Sequence, residues 1–558
     1  MAVQKSETLT GGSAIIKSLL RHGVDTVFGL PGVQTYPIFD ALYEHKNAIR
    51  TITPRHEQGA AYMAMGYAQA TGKPGIFSVV PGPGILNTGA AMNTAWASSS
   101  PVLGLTGQVP SGYLGLGHGH LHEMPDQLAT LRSFVKWADR IDRPGDAPGL
   151  VDRAFVEMQS GRKGPTTLEM CWDRLAESGP VDWSEPDALP PPPKPDPDAV
   201  KSAAKLIAGA RAPMIMVGSG SKHAGPEVLE LARMLNAPVL SMRGGRGVVS
   251  ADDPLAVGPA EAWYLWNRTD LLIAIGSRCE LPYMRWFNNI EPMKERPSPP
   301  HLIRVDINPA EMDRLWPDVG ILGDSKETTE LLVEAVAKQA GKIGGDPDRI
   351  ETARGKAAPL VDSIKPHVDY LRAIREVLPR DGLFVEEVCQ AGFVSFFSFP
   401  IYTPRSYITC AFSGTLGYGF NTALGVKAAF PDRPVVSITG DGGFMFGVQE
   451  LATAAQFGIG LTTILFNNNA FGNVRRDQAQ RFDGRIIGSE LKNPDFRGLC
   501  ESFGVGYRRA HNQAELKREL EASLAANQPD VIEVPIDPAT EIPPWKVLIP
   551  ERFGITGD

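Results

Sequence analysis

An α/β fold of three doubly wound parallel-sheet domains is what this sequence predicts, and three observations predict it. Short apolar, β-branched runs alternate with helical patterns along all 558 residues, as expected of parallel sheets covered by helices. Most of these runs end near glycine, proline, aspartate or asparagine, the residues of turns. Composition breaks the chain at 185–198 and, more softly, at 341–356, leaving segments of ordinary domain size.

The first break, EPDALPPPPKPDPD, carries prolines that forbid helix and favour an extended linker. The second, GKIGGDPDRIETARGK, has few large apolar residues. The resulting domains are 1–184, 199–340 and 357–558. In the first, Thr26–Gly29 and 75–80 read as strands, with Ala60, Ala61, Ala64 and Ala68 at helical spacing between them. In the second the strands are 213–218, 270–276 and 302–307. In the third they include 435–439 and 462–466. The helix between this last pair shows Val448, Leu451, Ala452 and Ala455 on one face, and Gly458 stands as its stop. Ligands of open α/β sheets lie beyond the C-terminal strand ends. The loops after Gly29, Val80, Thr439 and Phe466 are therefore the places to search.

The formal charge of −8 is small for this length and argues against a nucleic-acid or anionic-membrane surface as the main partner. No apolar run is long enough to span a bilayer, and residues 1–12 lack the pattern of a secretion signal. Cys171, Cys279, Cys389, Cys410 and Cys500 lie far apart without a CxxC. They read as reduced thiols of a cytoplasmic protein and support neither a zinc nor an iron–sulfur site. A small-molecule substrate is the expected partner.

After the strand VVSIT come Gly440, Asp441, Gly442 and Gly443; after TTILF come Asn467, Asn468 and Asn469. Two neighbouring parallel strands thus end in a carboxylate and a carboxamide, hard oxygen donors suited to Mg²⁺. The glycines let backbone N–H groups approach a diphosphate, and the following helix adds its positive end. Tight turns alone would explain Asp-Gly, but not the pairing at two adjacent strand ends.

GDG, the 24 residues 443–466 and NN resemble the metal and diphosphate motif of thiamine diphosphate-dependent enzymes. That resemblance implies that Asp441, the side chain of Asn468 and the carbonyl of Ala470 ligate Mg²⁺, with Phe471 and Gly472 continuing the cofactor-binding segment. It also implies an acid that hydrogen-bonds the aminopyrimidine and makes the cofactor reactive. Glu57, in RHEQG after IRTIT, is the matching position. By itself it reads as a first-turn glutamate favoured by a helix dipole; beside the downstream motif, the activating acid is the better reading. In this family the acid and the diphosphate motif belong to different subunits, so a homodimer or homotetramer with interfacial sites is implied.

The likeness covers nearly the whole chain, as pyrimidine-binding, central and diphosphate-binding domains. It is nearest to the acetolactate synthase, benzaldehyde lyase and 2-hydroxyacyl-CoA lyase group. VFGLPG, with Gly32, and VVPGPGILNTGAAMNTAW, with Gly82 and Asn87, look like the pyrimidine-domain loops. SGTLGYGF, with Gly414, looks like the segment whose apolar wedge, here Leu416, bends the cofactor. Gln390 stands at a diphosphate-contacting position, though Val388-Cys389-Gln390-Ala391 departs from the common form. Arg278 matches an arginine that meets the second substrate or flavin.

Other features bear on substrate. Leu121-His122-Glu123 replaces the Phe-Gln-Glu of acetolactate synthases, and Asn473–Asp477 lacks their tryptophan. Both put strict pyruvate chemistry in doubt. His122 is a candidate for proton transfer because imidazole titrates near neutrality. His118, His120 and His122 could share a face for a metal, and a glycine-rich loop explains them equally well. Gly218-Ser219-Gly220 is half of a dinucleotide fingerprint. The resembled family binds FAD or ADP in the central domain of some members and nothing in others, so by that resemblance FAD or ADP is open but not favoured. The expected activity is a thiamine diphosphate- and Mg²⁺-dependent decarboxylase or carboligase acting on a 2-oxo acid or related carbonyl compound. Cleavage of a 2-hydroxyacyl-CoA, a flavin-dependent 2-oxo acid oxidase and a non-catalytic partner subunit are the alternatives.

Overall fold

A computed structural model describes residues 6–286, 292–296, 298–339, 345–346 and 348–557. Three six-stranded sheets, parallel throughout, form the centres of three domains. The N-terminal sheet runs Arg50–Ile52, Thr26–Gly29, Gly75–Val79, Val102–Gln108, Thr166–Cys171, Trp137–Ile141 from edge to edge. The C-terminal sheet runs Tyr407–Ile408, Leu383–Val385, Val435–Gly440, Thr462–Asn467, Asp530–Pro535, Gly506–Arg509. Numbered along the chain within each domain, both follow the order 2-1-3-4-6-5. The central sheet differs. It runs Ala256–Val257, Val239–Ser241, Pro213–Val217, Leu271–Ile275, His301–Asp306, Val319–Leu322, which is 3-2-1-4-5-6, the order of dinucleotide-binding folds. A short antiparallel pair, Ser6–Thr10 with Ser178–Asp182, brings the ends of the first domain together.

The strands lie where their apolar runs place them, within a residue or so at either end. Two helical readings change. The helix read after Gly443 is broken into Asp441–Phe444, a 3₁₀ turn at Val448–Glu450 and Leu451–Phe457. Gly458, at φ +60°, does end it. The soft stretch 341–356 is partly outside the described residues, and from Asp348 it enters a helix, Asp348–Asp362. Ile350, Ala353, Ala357 and Val361 recur at helical spacing and pack into the core shared by the central and C-terminal domains. Small alanines supply enough of a face for that, although few large residues mark it.

The helix Glu57–Thr71 is buried continuously from Gly59 to Ala70. One face packs on its own sheet. Another meets the helix Gly419–Ala429 of the C-terminal domain, where Ala423, Leu424 and Val426 share one core with Ala60–Met65. Its run of small residues therefore reflects burial on more than one side, and it ties the first domain to the third.

Candidate active site

Register places the metal-binding candidates. Gly440 pairs with Phe466 across the parallel strands, so the chain leaves both strands at one level. Asp441 is 2% exposed, and its carboxylate accepts the backbone N–H of Asn468 and, at 2.7 Å, the side-chain amide of Asn493. Burial holds its carboxyl above the usual carboxylate range in spite of these donors. Among the described residues no lysine or arginine forms an ion pair with it. A buried carboxylate in that state calls for a cation, and Asn468 with the Ala470 carbonyl adds oxygens of the kind Mg²⁺ takes. The Ala470 segment is pinned from outside: Phe471 N donates to Ser489 O at 2.9 Å and Leu491 N to Asn469 O at 2.8 Å.

The loop 440–443 forms a tight cradle. A Cβ on Gly442 would lie 2.6 Å from the Phe471 ring, and one on Gly443 would lie 3.3 Å from both Glu387 and Leu416 Cδ1. Leu416 is thereby placed against the diphosphate loop, with Gly414, at φ +59°, turning the chain just before it. Gln390 opens the helix Gln390–Ser398, and its buried carboxamide has no hydrogen-bond partner at either atom among the described residues. Buried amides are rarely left so, and a diphosphate oxygen would satisfy the donor. Beside it, burial raises Glu387 to about 7, although the N–H groups of Val388, Gly417 and Gly419 all donate to it.

The second cluster lies at the strand ends of the N-terminal sheet. His56 caps the helix Glu57–Thr71 by accepting Gln58 N at Nδ1, 3.1 Å. Glu57 follows, with Asn87 Nδ2 donating to its Oε2 at 3.0 Å. Gly82 adopts φ +59°, ψ −119°, and a Cβ there would strike the carbonyl of His122 at 2.6 Å. This position needs glycine both for backbone conformation and for the close approach of the loop. The His122 ring donates from Nδ1 to Gln34 Oε1 at 2.9 Å, while Gln34 Nε2 is committed to Leu121 O. Nε2 of His122 has no partner among the described residues and is left to meet a ligand. Gly32 starts the turn that carries buried Gln34.

Glu57, Asn87, Gly82, Gly32 and His122 are thus gathered at one site; Asp441, Asn468, Ala470, Phe471, Gly472, Gln390 and Leu416 at another. No hydrogen bond joins the two groups among the described residues. Inside the chain their surroundings are joined by Glu450, whose carboxylate receives Arg55 N at both oxygens, 3.1 and 3.0 Å, and by Thr94, whose hydroxyl lies 2.8 Å from that of Thr415 in the segment carrying Leu416.

The remaining candidates lie elsewhere. Arg278 follows the central strand Leu271–Ile275 and lines a cavity of about 710 Å³ at the switch point of the central sheet. It sits 3.3 Å from both Glu280 and Glu311, and 4.9 Å from the ring of Phe412 in the segment leading to Leu416. Lys222, half-buried in the same cavity wall, is lowered to about 7 by desolvation and by the charges of Arg405 and Lys163. His118 and His120 pack on Tyr113, His120 with ring centroids 4.6 Å apart, and His122 turns away to Gln34. No group of three His, Cys, Asp or Glu side chains able to hold a metal occurs among the described residues.

Asn468 Nδ2 donates to Glu541 Oε2 at 3.0 Å, and Gln34, Glu450, Asn493 and Glu541 carry no signal in the sequence. Each lies far along the chain from the residue it holds, and no local pattern marks it.

Comparison with known proteins agrees with this geometry. Residues 9–130 match the N-terminal TPP binding domain of thiamine pyrophosphate enzymes, 200–332 their central domain and 388–534 their C-terminal TPP binding domain. A probable 2-ketoarginine decarboxylase of Pseudomonas aeruginosa is 33% identical, over 96% of this chain and 95% of that protein. A probable acetolactate synthase large subunit of Methanocaldococcus jannaschii is 32% identical, over 96% and 93%. An acetolactate synthase isozyme 3 large subunit of Escherichia coli is 29% identical, over 97% of both chains. With its three α/β domains and both strand-end clusters, the chain belongs to the thiamine pyrophosphate-dependent enzymes, among relatives named as decarboxylases and acetolactate synthases.

Proposed function

We propose that this protein is a thiamine diphosphate- and Mg²⁺-dependent decarboxylase or carboligase acting on a 2-oxo acid. The observation that carries the metal reading is the buried carboxylate of Asp441 beside Asn468, with no lysine or arginine paired to it among the described residues. Asp441, Asn468 and the Ala470 carbonyl would hold Mg²⁺, and the N–H groups of 440–443 with Gln390 would hold the diphosphate. Bound thiamine diphosphate supplies the carbon nucleophile and the electron sink for carbon–carbon cleavage. Glu57 would share a proton with the aminopyrimidine ring nitrogen, oriented by Asn87 on its other oxygen. His122 Nε2 would give or take a proton at the substrate, and Leu416 would wedge the cofactor.

The family's assembly is a homodimer or homotetramer in which Glu57 serves the diphosphate site of a neighbouring subunit, and the surface of this chain supports it. Leu86, Phe446, Val474 and Ile487 are 48%, 49%, 53% and 82% exposed, apolar surface of the kind an interface covers. All five cysteines are unpaired, which supports a cytoplasmic location. No helix of the described residues is long and apolar enough to cross a membrane.

Turnover of a panel of 2-oxo acids by wild type and Glu57→Gln tests the assignment. The glutamine side chain keeps the shape but cannot take the proton, so turnover should be lost while thiamine diphosphate and Mg²⁺ still bind by calorimetry. Undiminished turnover would sink the reading.

The central cavity favours a second cofactor more strongly than the half fingerprint does. Its sheet order, its volume and the cationic wall of Lys222, Lys163 and Arg405 suit a nucleotide diphosphate such as FAD or ADP. A yellow chromophore on purified protein would support flavin; a rise in Tm with ADP alone would support the nucleotide.

A further inference from the structure

We propose that Glu541, braced by His367, is a positioning residue that sets the orientation of the Asn468 carboxamide at the metal site. The inference rests on the Mg²⁺ reading above and concerns residues outside the sequence motif. Asn468 Nδ2 donates to Glu541 Oε2 at 3.0 Å, and the other oxygen, Oε1, takes His367 Nε2 at 2.9 Å. The His367 and Glu541 side chains are 1% and 6% exposed. Nδ1 of His367 has no hydrogen-bond partner among the described residues, so the ring's polar commitment is to Glu541. His367 is itself held edge-on against Phe466, the last core residue of the strand that delivers Asn468.

A carboxamide has two nearly isosteric ends, and only the oxygen can ligate a cation. A carboxylate accepts but does not donate, so Glu541 stabilises the orientation with Nδ2 towards itself and Oδ1 away. The flipped amide would set Oδ1 against the carboxylate and Nδ2 towards the metal, repulsive on both sides. Gly472 leaves room for this contact, since a Cβ there would come within 2.6 Å of Asn468 Nδ2. The Glu541 segment is fastened at both ends, by Ile536 N to Asn467 O at 2.8 Å and Ile542 N to Lys365 O at 2.9 Å. Beyond it, Trp545 packs on Phe393, and Val547 and Leu548 enter the core shared with the central domain. The tail is therefore a fixed strut, and its carboxylate has a defined place.

Metal partners held one bond away from the ligand commonly alter affinity by about 10- to 100-fold. Mg²⁺ titrated calorimetrically into full-length apoprotein with saturating thiamine diphosphate should show that weakening for Glu541→Ala. Glu541→Gln, which keeps an acceptor for Nδ2, should lose less. Excess Mg²⁺ should restore thiamine diphosphate binding to the alanine variant. The orientation argument makes one further demand. In an Asn468→Asp background either oxygen can ligate and Glu541 only repels, so adding Glu541→Ala should tighten Mg²⁺ binding. Unchanged Mg²⁺ affinity in Glu541→Ala overturns the inference. So does weakening in both backgrounds, or a lowered apoprotein Tm with binding that excess Mg²⁺ does not restore, for either marks a structural role alone. Wild-type protein that binds no Mg²⁺ would instead overturn the metal reading, and this inference with it.

Discussion

Replacing Gly442 by alanine tests whether the cradle at 440–443 is as tight as its geometry says. The added Cβ would stand 2.6 and 2.7 Å from two atoms of the Phe471 ring and 3.4 Å from Leu491 Cδ1. Carbon atoms pack at about 3.5–4.0 Å, so the ring must retreat by about an ångström. It is not free to do so. Phe471 N is bonded to Ser489 O, Leu491 N to Asn469 O, and Ala470 bridges Glu490, so the metal loop is clamped on the side towards which it would move. Overpacking of this kind costs about 1–3 kcal/mol. If the loop resists, the cost appears as a lower apoprotein Tm; if it yields, Ala470 and Asn468 shift and thiamine diphosphate affinity falls by roughly 5- to 150-fold. Calorimetric titration with the cofactor and a thermal scan of the apoprotein measure both. A variant with wild-type Tm and wild-type affinity would refute the claim that the glycine is required by close approach.

Glu387 should leave a mark on the pH dependence of stability. Its folded-state value, about 7, lies above the ordinary 4.5 because of burial, so the folded protein binds the extra proton over that interval. Stability relative to Glu387→Gln should therefore fall as pH rises from about 4.5 to 7, by at most about 3 kcal/mol; parallel pH profiles of the two apoprotein Tm values would contradict this. Gly355 lies in the helix Asp348–Asp362 with open space around it. Gly355→Ala should stabilise the protein to urea by up to about 1 kcal/mol, and a loss of stability would mean that the helix is wrongly placed.

Much of the fold was legible because it is encoded locally. Runs such as 213–218 and 462–466 are apolar, short and closed by turn residues, and each became a strand. Where large apolar residues are few, as at 348–356, local patterning reads the start of a packed helix as part of a linker. The helix after Gly440 was misread in the opposite sense: its apolar spacing is continuous, yet the chain breaks at 445–447. There Gly447 lies against the side chain of Asn421, and a neighbouring element decides the backbone path.

The sequence by itself determined the chemistry of the strand ends: which of them carry Asp441, Asn468 and Glu57, and hence which cofactor family the chain serves. Each of those features depends on a strand end, its turn and the residues within a few positions of it. Tertiary structure alone decided that Asn493 and Glu541 reach the metal loop and that Gln34 holds His122. It alone shaped the central cavity, whose walls come from all three domains. The physical reason is that a hydrogen bond or a cavity wall depends on distance in space. A partner such as Glu541, 73 residues from Asn468 along the chain, leaves no periodicity or local spacing to read.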